Sequence, residues 1–296
     1  MPASERIPSR RVTGADALEL LAHGELTVRG RIREASNAVL LCDVARGDEL
    51  AECVYKPVAG ERPLWDFPDG TLAQREVAAF EVSEATGWGL VPPTVLRDGP
   101  YGEGMCQLWV DAVTDEAGDG AGDTDLEQDD DRPPPGAELL ALVDADEPGE
   151  GWKAVGRAEI GGGRTALLVH ADDPRLRRLS VLDAVINNGD RKGGHLLPAT
   201  DGRLFGIDHG VTFNSEDKLR TLLWGWAGDP LTAEATGVLR SLTEALVEDG
   251  ALTLRLAPLI TADEITALRG RVAALLRDGR HPEPSGEWPP IPWPPV

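Results

Sequence analysis

Asn187-Asn188-Gly189-Asp190-Arg191-Lys192-Gly193-Gly194-His195-Leu196-Leu197, followed by Leu204-Phe205-Gly206-Ile207-Asp208-His209-Gly210, is the stretch on which the fold turns. Ahead of it, residues 179–186 form an apolar run that reads as a buried helix. A buried helix that ends in a polar, glycine-rich loop and re-enters as a short strand gathers several polar side chains at one point. The second strand then delivers an aspartate ahead of a histidine and a glycine. A hairpin of the two strands brings Asp190, His195 and Asp208 to its ends. Two carboxylates and an imidazole in one cleft suit a divalent cation and a base. Taken singly, each is turn chemistry or a hydrogen-bonded loop histidine. Their order carries the signal.

Working outward, residues 15–23 read as a short helix, and residues 26–32, 38–44 and 51–58 as three strands, the last bringing Lys56 to its end. Residues 71–86 have a helical pattern closed by Gly87. Glu76, Glu81 and Glu84 all lie on that helix, and Glu76 is preferred as the partner of Lys56 because it directly precedes the apolar Val77-Ala78-Ala79-Phe80. Residues 91–97 and 105–110 read as two further strands. This order describes a small antiparallel sheet with a helix laid on it, an N-terminal lobe over 15–110. Residues 111–131 hold ten acidic side chains and no basic one, a composition that points to a disordered loop. Helices are expected at 137–144, 174–187, 233–249 and 262–278, with a strand pair near 203–207, giving a helical C-terminal lobe over 132–280. Residues 281–296 form a Pro-rich tail whose Trp288 and Trp293 should pack on the body.

The chain has 296 residues and a formal net charge of −22. That charge argues against nucleic acid or an anionic membrane as a partner. Hydrophobic residues at 41% suffice for a core. Three cysteines without C-x-x-C spacing argue against a disulfide framework or a zinc cluster. No apolar run is long enough for a transmembrane segment, and the basic start lacks the apolar stretch of a secretory signal. A soluble, cytoplasmic protein is expected. Only four of the 29 basic residues are lysines. In a chain where arginine is the default cation, as in GC-rich genomes, a lysine marks a place for a compact point charge.

Val54-Tyr55-Lys56, Arg75-Glu76, Gly189-Asp190-Arg191 with His195, and Ile207-Asp208-His209-Gly210 together resemble the phosphatidylinositol 3-/4-kinase-like branch of the protein-kinase superfamily. The resemblance spans about residues 25 to 250 and is specific at those four places. It implies a bilobal protein-kinase-like α+β fold, with ATP and Mg2+ (or Mn2+) as cofactors. It also implies phosphoryl transfer to the hydroxyl of a lipid headgroup, small polyol or protein. In that family the strand lysine binds the nucleotide phosphates and the helix glutamate pairs with it, roles that fall here on Lys56 and Glu76. The catalytic aspartate falls on Asp190, and the metal ligands on His195 and Asp208. The adenine-contacting hinge falls on Gln107, Leu108, Trp109 and Val110. The chain departs from the pattern in three ways. No G-x-G-x-x-G loop is present, leaving Ser36 and Asn37 to cover the phosphates. Lys192 stands where the family has histidine, and His195 where it has a metal-binding asparagine. A nucleotide-binding pseudokinase or a nucleotidyl transferase on the same fold are the alternatives. Residues 213–231, with Trp224 and Trp226, follow the metal motif where an acceptor loop would lie; core packing of the two indoles is the competing reading.

Overall fold

The computed structural model describes residues 15–32, 38–62, 64–67, 71–113, 137–159 and 163–293. Ser36 and Asn37, and the acidic segment beyond Val113, lie outside them.

Helix α1 (Ala15–His23) leads into β1 (Glu25–Arg31), β2 (Leu40–Arg46) and β3 (Glu49–Pro57). Helix α2 (Leu72–Thr86) follows, then β4 (Thr94–Gly99) and β5 (Gly102–Leu108). The five strands form one antiparallel sheet in the order β1-β2-β3-β5-β4. Side-chain alternation divides its faces. Cys42, Cys53, Tyr55 and Cys106 bury themselves with Leu20 and Leu21 of α1. Met105 packs with Ala73 and Val77 of α2 on the opposite face, and Lys56 pairs in register with Met105. The period-2 alternation thus aims Lys56 at the α2 side. The three cysteines are unpaired and buried, and burial pushes the Cys42 thiol up to about 11, which keeps it protonated and unreactive.

Helix α2 also belongs to the larger core. Ala78, Ala79, Phe80 and Val82 pack in one cluster with residues of three later helices, α3 (Pro174–Ile186), α4 (Ala233–Ala245) and α6 (Ala262–Asp278). The buried Arg75 guanidinium donates to Glu264 Oε1 at 2.6 Å and to the Thr212 carbonyl at 2.7 Å. It also lies 4.5 Å over the Phe67 ring.

Three expectations for the second half need correction. Residues 137–144 are not a helix: a single 3-10 turn (Ala137–Leu139) passes into β6 (Leu140–Val143). Strand β6 pairs with β8 (Thr165–Ala171), which pairs with β7 (Trp152–Glu159), forming a three-stranded antiparallel sheet that the sequence reading omitted. A short apolar run such as 139–143 has no period to separate helix from strand, and partner strands decide it. The expected helix 233–249 ends at Ala245, and α5 (Ala251–Leu256) follows as a separate element. Strands β9 (Leu196–Pro198) and β10 (Leu204–Gly206) form the expected hairpin. Trp226 is fully buried and Trp224 nearly so, as core packing requires. Of the tail indoles Trp288 stacks on Trp65, whereas Trp293 is exposed.

Acid sensitivity follows from this packing. His281 is buried against Trp226 and touches Arg177 and Ser180. Burial, aided by Arg177, pushes its ring down to about 4. A depressed base takes up fewer protons folded than unfolded, so its stabilisation is complete above the unfolded value near 6.5 and is lost as pH falls toward about 4. Burial lowers His170 and His209 likewise. The stability of wild type minus that of His281→Gln should therefore be flat above pH 6.5 and decline below it. A difference that stays constant across this window in denaturant titrations would refute the assignment.

Candidate active site

Helix α3 carries a single carboxylate into its apolar face, Asp183, and ends at Asn187 in the left-handed conformation (φ 54°). Asp183 is fully buried and meets the equally buried Arg191 at 2.9 Å. Two buried charges are tolerated only when paired and hydrogen-bonded, and this pair is both. Asn188 Nδ2 donates to Asp183 Oδ1 at 3.0 Å, and Thr221 Oγ1 to Oδ2 at 3.4 Å. Arg191 Nη1 donates to the Ile207 carbonyl at 2.9 Å, and Nη2 to His209 Nε2 at 2.7 Å. Gly206 leaves room here: a Cβ would lie 3.0 Å from Arg191 Nη2 and from Leu179 Cδ1, so that either side chain would have to shift. One guanidinium thus ties the end of α3, the 187–195 loop and the strand leading to Asp208 into a unit.

His209 extends this unit to the sheet. Since its Nε2 accepts from Arg191, its proton sits on Nδ1, 3.9 Å from Glu76 Oε2. The His209 backbone N–H donates to the same oxygen at 2.8 Å. The other oxygen, Glu76 Oε1, accepts from Lys56 Nζ at 2.7 Å, and Lys56 also reaches Asp208 Oδ1 at 2.9 Å. Of the three helix carboxylates, Glu76 is therefore the partner of Lys56, while Glu81 pairs with Arg255. Asp208 Oδ2 lies 3.4 Å from His195 Nε2. Asp208 has φ 60°, a left-handed conformation that aspartate tolerates and that recurs at functional sites.

These contacts set the charges. Burial works against the Lys56 ammonium, but Asp208 and Glu76 outweigh it and hold it above its ordinary range. Lys56 in turn keeps Asp208 well below the usual carboxylate range. Burial pushes Glu76 upward, with Lys56 and the His209 N–H opposing. Burial drives His195 down to about 4 although Asp208 pulls the other way, so the ring is neutral near pH 7. Asp190 lies on the neighbouring loop, its backbone N–H held by Asn188 Oδ1 at 2.9 Å and its carboxylate 3.1 Å from Lys192 Nζ. Burial raises its affinity for a proton and Lys192 opposes this.

Lys56 thus touches both Glu76 and Asp208, Asp208 touches His195, and Asp190 sits with Lys192 on the loop that also carries His195. The residues expected to contact adenine are arranged differently. Gln107 is buried with its amide donating to Thr94 Oγ1 at 2.9 Å. The backbone N–H groups of Leu108 and Trp109 donate to the Pro93 and Glu52 carbonyls. A cavity of about 600 Å³ lies away from Lys56 and Asp208, lined by Asn187, Trp224, Arg271 and His281 among others. The sequence reading missed Asp183 and His209 as structural partners. Their signal was present: a lone acid in an apolar helix demands a cation.

The donor set at Asp208 is sparse. Among the described residues no group of three or more His, Cys, Asp or Glu side chains could hold a metal ion. Asp208 supplies one half-open carboxylate. Such a lean set suits Mg2+, which takes most of its ligands from water and phosphate oxygens. His195 Nδ1 accepts from the Lys192 N–H at 3.4 Å, which leaves the ring proton on Nε2, facing Asp208. In this arrangement the ring N–H faces Asp208 Oδ2 at 3.4 Å. Serving as a ligand requires the other tautomer.

The antiparallel sheet with its helix and the mostly helical second half have a protein-kinase-like fold. The structure superposes on that of the Golgi casein kinase with a TM-score of 0.50 and 13% identity, over 88% of this chain and 73% of that one. A Helicobacter pylori proinflammatory kinase, CtkA, matches at a TM-score of 0.40 and 11% identity, over 88% of this chain and 94% of that one. In sequence the chain is 50% identical over 279 residues to Protein Rv2133c of Mycobacterium tuberculosis strain ATCC 25618 / H37Rv, covering 94% of this chain and 95% of that protein. The chain belongs to the family of that protein. No family model matches it. The likeness to the Golgi casein kinase shows the fold alone, and the phosphatidylinositol 3-/4-kinase branch is not shown. Among the described residues no helix is long and apolar enough to cross a membrane.

Proposed function

We propose that this protein is an ATP-dependent phosphotransferase acting on an alcohol group. The observation that carries the reading is Lys56 held between Glu76 and Asp208, with Asp190 on the adjoining loop. Phosphoryl transfer requires cations on the phosphates, a metal-holding carboxylate and a group that orients the attacking hydroxyl. Lys56 supplies the first, kept protonated by its two carboxylate partners. Asp208 supplies the second, with His195 beside it. Bound there, Mg2+ would neutralise phosphate charge. Asp190, whose proton affinity burial raises, accepts and orients the acceptor hydroxyl. On this reading the lobes span 15–110 and 132–280, adenine contact falls to Gln107–Val110, and the phosphate-covering role falls to Ser36 and Asn37. With a net charge of −22, a soluble acceptor is favoured over a lipid in an anionic surface.

The test is ATP turnover with Mg2+ or Mn2+, comparing wild type with Asp190→Asn. Turnover should fall by about 10²–10⁴, the range of general acid–base catalysis, while ATP binding persists because Lys56, Glu76 and Asp208 are untouched. Binding with no turnover in the wild type, unaltered in the variant, would instead favour a nucleotide-binding interaction module.

A further inference from the structure

Residues 288–292 read Trp-Pro-Pro-Ile-Pro. Proline has no N–H, so this segment offers carbonyl acceptors and few donors. It lies against a surface that supplies donors. Thr221 N–H and Trp224 Nε1 both donate to the Pro290 carbonyl, at 3.0 and 2.8 Å. Arg220 spans that residue, with Nε to the Pro289 carbonyl at 3.0 Å and Nη2 to the Ile291 carbonyl at 3.3 Å. A tryptophan N–H and a guanidinium reading successive carbonyls is how proline-rich peptides are recognised. At the front of the segment the Trp288 and Trp65 rings lie 5.9 Å apart, and Lys218 Nζ stands 4.6 and 4.9 Å from their centres.

The other side of Arg220 faces the site. Its backbone N–H donates to the Asn188 carbonyl at 2.9 Å, and its carbonyl accepts from the Arg191 N–H at 3.1 Å. Asp190 lies between those two residues. Arg220 therefore grips the tail with its side chain and brackets Asp190 with its backbone. Thr221, the next residue, joins the Asp183–Arg191 pair through its hydroxyl.

We propose that residues 288–291 act as an internal proline-rich ligand whose docking on Arg220, Thr221 and Trp224 holds Asp190 in place, Arg220 being the positioning residue. The kinetic consequence rests on the phosphotransferase reading; the mechanical one does not. The test uses the full chain in three forms: Arg220→Met keeps the backbone and the stem, Trp224→Phe keeps the ring, and Trp288→Ala alters a surface contact that folding can spare. Backbone amide hydrogen exchange should quicken about tenfold at Thr221 and Arg191 in each, the worth of one hydrogen bond. In the same proteins kcat for ATP turnover should fall while the KM for ATP stays constant. Release of the tail, read as fast exchange at Thr221, whose N–H donates to the Pro290 carbonyl, with the Arg191 amide unchanged would overturn the proposal. A wild type without turnover would sink the phosphotransferase reading alone, because exchange still decides the strap.

Discussion

Replacing Asp208 with Asn should lower ATP turnover by about a thousandfold, the scale of losing a charge-stabilising group from a water-poor site. Asparagine is the informative substitution. It tolerates φ 60° as aspartate does, and Lys56 keeps its bond to Glu76, so backbone and sheet remain while the negative charge goes. The Mg2+ concentration needed for half-maximal activity should rise with the loss of rate. His195 then separates two roles. His195→Asn retains a side-chain N–H for Asp208 and should keep turnover, whereas His195→Ala should lose it, with the half-maximal Mg2+ concentration little altered. A rise in His195→Ala as large as in Asp208→Asn makes His195 a ligand in its own right. Wild-type turnover in Asp208→Asn removes Asp208 from the site.

The second large effect is on stability. Arg191→Met should destabilise the protein by about 3–5 kcal/mol, because Asp183 is left charged and unpaired where neither side chain meets solvent. Arg191 also leaves the Ile207 carbonyl and His209 Nε2 without their donor. Denaturant unfolding of Arg191→Met, Asp183→Asn and the double variant gives the coupling energy directly. A loss below about 1 kcal/mol, the scale of an exposed pair, is incompatible with the buried network described here.

How far the sequence could be read depended on which residues face which. The Lys56–Glu76 pair was legible because a strand and the helix after it each carry a local pattern, and the apolar run after Glu76 picked it from three candidates. His195 and Asp208 were legible because a short hairpin closes over few residues. The adjoining β6–β8–β7 sheet was not, since residues 139–143 carry no period and their partners lie about 25 residues on. Nor was the role of Arg191 beyond a motif position: its side chain bonds to Asp183 of α3 and to His195, Ile207 and His209 in the loops flanking β9 and β10, and only packing brings these together. The tail showed composition alone. Prolines give neither helical nor strand alternation, and their carbonyls acquire meaning only against Arg220 and Trp224.

Arg75 and Glu76 are successive residues on α2 whose partners belong to different parts of the molecule. One is tied to Glu264 and Thr212, the other to Lys56 and His209. A helix turns by about 100° per residue, so neighbours cannot exchange faces without rolling the whole rod. Any roll that drew Glu76 away from Lys56 would also pull a buried guanidinium off its carboxylate, leaving two stranded charges instead of one. The rotational phase of α2 is therefore fixed from both sides, and a swing of this helix would have to break both ties at once.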